Sequence, residues 1–391
     1  MNEIYFDNSA TTALCKDAKE AMTNIIENIY GNPSSLHSVG LAAEKAVNEA
    51  RNDVMSSLGV RGDGRQLIFC GSGSEANNLA TIGVYTSKKR RAGARIITTA
   101  GEHSSIEASM AYLESLGANV VRLSTKNGEI DFDELENSLN SDTVLISVML
   151  VNNETGARYP VEDIFKLAKT RCPDIICHCD AVQAYGKIKF TPKSLGADLV
   201  TVSAHKIHGP KGIAALYVSL DVLKRRALIP VIHGGQQENG LRAGTENTVC
   251  IAGFGAAAKN AAAAFNENTA TVSKVNMHIT ERISSDEKLR EIRINRPKNA
   301  IPNIINITLP NIKSETMLHF LSGRGIFVSS GSACSSHAKA VSRALSAFGI
   351  SDKEADCSLR ISISGYNTTE EADKLCDALA DGLALLVRIK V

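Results

Sequence analysis

The chain reads as an α/β protein: a mainly parallel seven-stranded sheet covered by helices, followed by a smaller α+β unit. Three observations predict this. Seven short apolar runs alternate with longer helical patterns over residues 67–218, an Ala-rich stretch then leads away, and beyond it a few strands stand among flanking helices. Strands separated by helices are joined by crossovers and so lie parallel, with the helices packed on the faces of the sheet. At 391 residues the chain is also too long for one ordinary core and suits two domains.

The first three strand-like runs are Leu67-Ile68-Phe69-Cys70, Arg95-Ile96-Ile97-Thr98 and Asn119-Val120-Val121-Arg122-Leu123. Residues 143–151, 175–179, 198–202 and 213–218 complete the seven. Amphipathic helical patterns over 104–116 and 161–170 separate them. The Ala-rich segment 249–265 predicts one long helix leading out of the sheet region. After it come strands near Ile304-Ile305-Asn306-Ile307 and Leu359-Arg360-Ile361-Ser362-Ile363, and a helix over 369–386. No repeat or low-complexity linker interrupts the chain. A boundary near residue 258 therefore falls inside a helix, and the two parts are expected to pack together.

Composition excludes several functions. Hydrophobic residues make up 43% and charged residues 22%, and 43 Lys and Arg against 42 Asp and Glu leave a formal charge of +1. Neither a nucleic-acid nor a membrane partner is expected from that balance. Lys88-Lys89-Arg90-Arg91 has no aromatic residues interleaved and reads as a solvated helix end. The longest apolar run, 143–151, is too short to cross a bilayer, and Met1-Asn2-Glu3-Ile4 shows no secretory signal. Nine scattered cysteines, an odd number, predict reduced thiols in a cytoplasmic setting. Cys177-His178-Cys179 lies in an apolar run whose side chains alternate between faces, so it reads as buried strand and no metal site is expected.

The chemistry collects at strand ends. Gly71-Ser72-Gly73-Ser74-Glu75 leaves a strand and opens a helix, where free amides and the Ser74 hydroxyl favour an anion. The segment lacks the Gly-Lys-Ser/Thr ending of a nucleotide loop, and alone it could be only a turn. Ser203-Ala204-His205-Lys206 follows another strand. A lysine there, flanked by phosphate donors Ser203 and His205, suits an amine that condenses with a phosphorylated aldehyde. Asp180 ends a third strand, with Gln183 three residues on. Alone it could be a helix cap; beside Lys206 it suits a carboxylate that keeps a pyridine nitrogen protonated. His103, past the strand near Thr99, is placed to stack on the ring's other face. Finally, Ser329-Ser330-Gly331-Ser332-Ala333-Cys334-Ser335-Ser336 surrounds one thiol with small residues, which predicts a mobile loop with an exposed, reactive cysteine.

Together these residues resemble the cysteine desulfurases of the NifS/IscS-like branch, fold-type I pyridoxal-phosphate enzymes in the class V aminotransferase group. The likeness covers nearly the whole chain. It includes Tyr5-Phe6-Asp7-Asn8-Ser9-Ala10-Thr11-Thr12, Gly31-Asn32-Pro33-Ser34-Ser35 and Asn152-Asn153-Glu154-Thr155-Gly156. Asp180-Ala181-Val182-Gln183, Ser203-Ala204-His205-Lys206, Arg242-Ala243-Gly244-Thr245 and the Cys334 loop continue it, and the Ser-Ser-Gly-Ser-Ala-Cys form of the loop separates this branch from its sister.

The resemblance implies a three-layer α-β-α large domain over 16–258. Residues 1–15 and 259–391 would form a small domain carrying Cys334. Lys206 would hold pyridoxal 5'-phosphate, yield it to the amino group of L-cysteine, and move protons at the substrate α-carbon. His103 would stack on the ring, Asp180 would hold its nitrogen, and Gln183 and Asn153 would reach its hydroxyl side. Ser74, Ser203 and His205 would bind the phosphate, joined by Thr245 from the partner subunit of a homodimer. Arg360 would clamp the substrate carboxylate, with Asn153 beside it. Cys334 would take the sulfur as a persulfide and pass it to an acceptor protein such as an iron–sulfur scaffold. The segment His337-Ala338-Lys339-Ala340-Val341-Ser342 stands where the family usually has a Pro-Ser pair, and the chain stops at Arg388-Ile389-Lys390-Val391 without the tail many members use in scaffold docking. A selenocysteine lyase or another enzyme of the same fold is the nearest alternative, and a non-catalytic sulfur-trafficking scaffold is the most distant.

Overall fold

The computed structural model describes residues 3–87, 93–330 and 342–388. Its larger sheet contains seven strands: β1 (Leu67–Cys70), β2 (Arg95–Thr99), β3 (Asn119–Leu123), β4 (Thr143–Met149), β5 (Ile176–Asp180), β6 (Leu199–Ser203) and β7 (Ala214–Val218). In space they run β1-β7-β6-β5-β4-β2-β3. Only β7 opposes the others: it pairs antiparallel with β1 and β6, while the remaining neighbours are parallel. The sheet is therefore mainly parallel, and the active ends of five neighbouring strands point the same way.

Alternation along each strand sends side chains to two faces. Ile68, Ile96, Leu145, Ile176, Leu199 and Leu216 pack under helices α1 (Gly73–Ser87) and α2 (Ser104–Ser115). Phe69, Ile97, Ile146, Cys177, Val200 and Ala215 pack on the other side, against the helices Ser38–Ser57 and Val161–Arg171 and against α3 (Thr248–Ala263). These are the three layers. Cys177, His178 and Cys179 are all fully buried in β5, with His178 held between Ser147 Oγ (2.8 Å) and Thr201 Oγ1 (3.0 Å). Burial lowers the His178 pKa to about 4, so the ring is neutral in the folded protein.

The Ala-rich segment differs from the single helix expected. It breaks at Ala264 into α3 and α4 (Phe265–Ser285), which meet at 71°. The cause is a change of core. Ile251, Phe254 and Ala257 of α3 bury against the large sheet, whereas Val272, Val275, Ile279 and Ile283 of α4 bury in a second cluster. One straight helix cannot present apolar stripes to both. Among the described residues no single helix is long and apolar enough to cross a membrane.

The second cluster is built on a four-stranded antiparallel sheet in the order Ser329–Ser330, Ser358–Ser362, Ile304–Thr308, Arg293–Ile294. It also takes in Ile4 and Phe6 from the start of the chain, because Ile4–Tyr5 pairs with Ile326–Phe327. From there residues 7–15 cross to the large sheet as a strap. Asp7 bridges to Ser362, and Thr12 and Cys15 donate backbone N–H groups to the His205 (3.0 Å) and His208 (2.9 Å) carbonyls.

Candidate active site

The strap meets the carboxyl ends of the parallel strands, and the predicted residues gather there. β6 ends at Ser203 and turns at once through Ala204–Lys206. Lys206 Nζ reaches up to the strap, donating to the Ser9 carbonyl (2.5 Å) and the Ala10 carbonyl (2.7 Å). Gln183 is buried and donates from Nε2 to the same Ser9 carbonyl (2.9 Å).

Asp180 is the last residue of the neighbouring β5 and is buried. Its Oδ1 accepts the Val182 amide (3.0 Å) and its Oδ2 accepts Asn77 Nδ2 (2.8 Å). Asn77 Nδ2 also donates to Ser105 Oγ (2.9 Å), which lies 2.9 Å from His103 Nδ1. One hydrogen-bonded chain thus runs Asp180–Asn77–Ser105–His103. Asn77 and Ser105 are positioning residues that the sequence reading missed, since Asn77 lies inside α1, Ser105 lies in the first turn of α2, and each gains meaning only from packing. His103 caps α2, with Nδ1 accepting the Ser105 amide (3.2 Å). That nitrogen is therefore unprotonated and the neutral ring carries its proton on Nε2. Desolvation lowers its pKa, Lys206 adds to that effect, and Asp180 opposes it.

An anion corner lies beside Lys206. Ser203 Oγ is buried and has no partner among the described residues. Gly73 opens α1 so close by that a Cβ on it would stand 3.3 Å from Val182 Cγ2 and 3.9 Å from Ser203 Cβ. The exposed Ser74 hydroxyl is at the same helix start. His205 has its pKa lowered to about 4, first by desolvation and then by Lys206 and Lys211, and so offers a neutral ring. Thr245 is exposed on the loop before α3. Arg242 ties that loop to Glu75 of α1 (2.8 Å).

Arg360 comes from the small sheet and is 7% exposed. Its Nη2 donates to Asp7 Oδ1 (2.9 Å) and its Nη1 to the Asn153 carbonyl (3.0 Å), while Nε is buried with no partner among the described residues. Asp7 was not singled out in the sequence, because its partner lies 353 residues away. Cys334 lies outside the described residues. Of its flanks, Ser329 pairs with Arg360 across the small sheet, and Ser342 Oγ donates to Glu154 Oε2 (2.6 Å).

Glu102, next to His103, is also buried. Its Oε1 accepts Thr99 Oγ1 (2.8 Å) and the Met149 amide (2.9 Å), and its Oε2 has no partner among the described residues. Burial raises its pKa from 4.5 to about 8, so the folded protein holds a proton that the unfolded chain releases. Stability contributed by this group is complete below the unfolded value and is lost as pH rises toward 8. Glu102→Gln removes the titration and keeps the acceptor. Unfolding midpoints of the variant should therefore pull ahead of wild type between pH 5 and pH 8, reaching on the order of a few kcal/mol. Parallel curves over that range would show that Glu102 is not a buried acid.

Fold and cleft together define an α/β enzyme that collects a lysine, a buried carboxylate and an imidazole at the carboxyl ends of three parallel strands. Residues 4–375 match the family described as aminotransferase class-V, and the chain belongs to that family. A curated relative, cysteine desulfurase IscS of Dictyoglomus turgidum, is 36% identical over 379 residues, spanning 96% of this chain and 93% of the relative. A solved NifS-like protein superposes with a TM-score of 0.90 at 33% identity, covering 98% of this chain and 100% of that one. A structure of SspA in complex with cysteine gives a TM-score of 0.79 at 32% identity, covering 94% and 100%.

Proposed function

We propose that this protein is a pyridoxal-phosphate-dependent cysteine desulfurase, converting L-cysteine to L-alanine and leaving the sulfur as a persulfide on Cys334. The observation that carries this reading is the meeting of Lys206, Asp180 and His103 at the carboxyl ends of the parallel strands β6, β5 and β2, with Asp180 and His103 joined through Asn77 and Ser105. The residues fit the cofactor. Lys206 would hold it, Asp180 its ring nitrogen and His103 its face, with Gln183 and Asn153 on the hydroxyl side. The unpartnered Ser203 hydroxyl, with Ser74 and the neutral His205, suits its phosphate. When bound, the cofactor supplies an electron sink for charge developing on the substrate carbons.

The chain's own groups do the rest. Arg360, held flat by Asp7 and the Asn153 carbonyl, receives the substrate carboxylate. Lys206 would move a proton at the α-carbon. The Cys334 thiolate attacks the substrate sulfur. The S–Cβ bond breaks with its electron pair left on carbon, that carbon takes a proton to become the methyl of alanine, and Cys334 keeps the sulfur. The described cysteines support the choice of thiol. Seven of the eight are buried and Cys250 is half-buried. Burial raises the pKa of Cys70, Cys172, Cys177, Cys179, Cys250, Cys357 and Cys376, which starves each of thiolate.

On this reading residues 16–258 bind the cofactor, and 1–15 with 259–391 carry substrate and sulfur groups. The enzyme works in the cytoplasm as a homodimer, each site completed by Thr245 of the other chain, and hands its sulfur to an acceptor protein such as an iron–sulfur scaffold. The test is direct: cofactor-loaded protein given L-cysteine and a reductant should release alanine and sulfide in equal amounts while sedimenting as a dimer. Alanine at the level of a protein-free control would overturn the activity, and a fully active monomer would overturn the shared site.

A further inference from the structure

Lys187 has no place in the chemistry above, yet it faces the same cavity as Lys206, with Asn8, Thr12, Asn268 and Asn303 around them. It follows a left-handed turn at Gly186 (φ 71°), where an added Cβ would stand 2.8 Å from Ile207 Cγ2. Among the described residues Lys187 forms no ion pair. Its Nζ donates to Gln183 Oε1 (2.8 Å), and Gln183 Nε2 donates to the Ser9 carbonyl that also receives Lys206 Nζ. Amide orientation is usually ambiguous, but here the Ser9 carbonyl has one role only. A carbonyl cannot donate, so the NH2 must face Ser9 on the Lys206 side, which leaves the oxygen to accept from Lys187.

We propose that Lys187 is a positioning residue for the reaction, locking the Gln183 carboxamide so that its NH2 group is presented as a donor to whatever Lys206 holds. The inference rests on the functional reading above. Without Lys187 the Gln183 oxygen loses its partner and only the Ser9 carbonyl holds the amide, so the NH2 group is less firmly aimed at the ring hydroxyl, weakening the donor that disfavours an added proton on the ring system. The surroundings explain why a lysine in this place stays a short-range donor rather than half of an ion pair. Lys206, Lys211, Arg360, His205, His208 and His103 crowd the same region, Asp7 is committed to Arg360, and Asp180 is committed to Asn77. Desolvation, then Lys206 and Arg360, lowers the Lys187 pKa to about 7.

The experiment follows the absorbance of the bound cofactor with pH in wild type, Lys187→Met, Lys187→Arg, Gln183→Leu and the double variant Lys187→Met with Gln183→Leu. Lys187→Met should move the pH midpoint up by about 1 unit and lower kcat with little change in KM. Lys187→Arg should restore both. In the Gln183→Leu background, Lys187→Met should add nothing. A wild-type midpoint in Lys187→Met, or the same added shift with and without Gln183, would overturn the proposal while leaving the desulfurase reading intact. A wild type with no cofactor absorbance after loading would overturn both. Thermal unfolding of each variant separates loss of fold from loss of the donor, and because Lys187→Met removes a desolvated charge it should unfold no more easily than wild type.

Discussion

Replacing Lys206 with Ala is expected to lower alanine formation from L-cysteine by several orders of magnitude while the protein still folds. On the proposed mechanism two functions would vanish together: the attachment point of the cofactor and the base at the substrate α-carbon. Acid–base catalysis alone is worth about 10²–10⁴-fold. The fold should survive because the turn that carries Lys206 is held by its backbone. Ile207 donates to the Ala204 carbonyl (3.0 Å) and Thr12 to the His205 carbonyl (3.0 Å), and neither bond involves the side chain. The losses include the bonds to the Ser9 and Ala10 carbonyls, each worth about 1 kcal/mol net, and Gln183 still donates to the Ser9 carbonyl. Circular dichroism and a thermal scan check the fold; product analysis checks the rate. Alanine production near the wild-type rate would remove Lys206 from the mechanism.

Cys334→Ser is expected to separate cofactor chemistry from sulfur transfer. A hydroxyl is close in size to a thiol but is not ionised at neutral pH and attacks sulfur poorly. The variant should load cofactor normally and change its absorbance when L-cysteine arrives, because Lys206, Asp180 and Arg360 are untouched. Alanine formation should then fall by more than about 100-fold, and no protein-bound persulfide should form. Unimpaired turnover would assign the sulfur to another thiol.

Much of this site was legible from local order. Asp180, Ser203 and Lys206 each follow an apolar run, and parallel strands bring their carboxyl ends to one edge, so reading strands also located the residues beyond them. The partners of these residues were not legible. Asn77 and Asp180 are 103 positions apart, Asp7 and Arg360 are 353 apart, and nothing in either neighbourhood announces the contact. Glu102 has no signal in its own sequence neighbourhood, and its raised pKa comes from burial between β2 and β4, a property of packing. The bend at Ala264 was hidden for a related reason. Ala-rich sequence favours helix on both sides of it, and only the two separate cores demand a change of direction.

The central claim is that one thiol receives the substrate sulfur, and peptide mass spectrometry of wild-type protein after brief exposure to L-cysteine tests it most directly. The account predicts one added sulfur atom on the peptide containing Cys334, removable by a reductant and formed together with alanine. Sulfur found instead on Cys250 or another of the nine cysteines, with Cys334 unmodified and Cys334→Ser fully active, would contradict it.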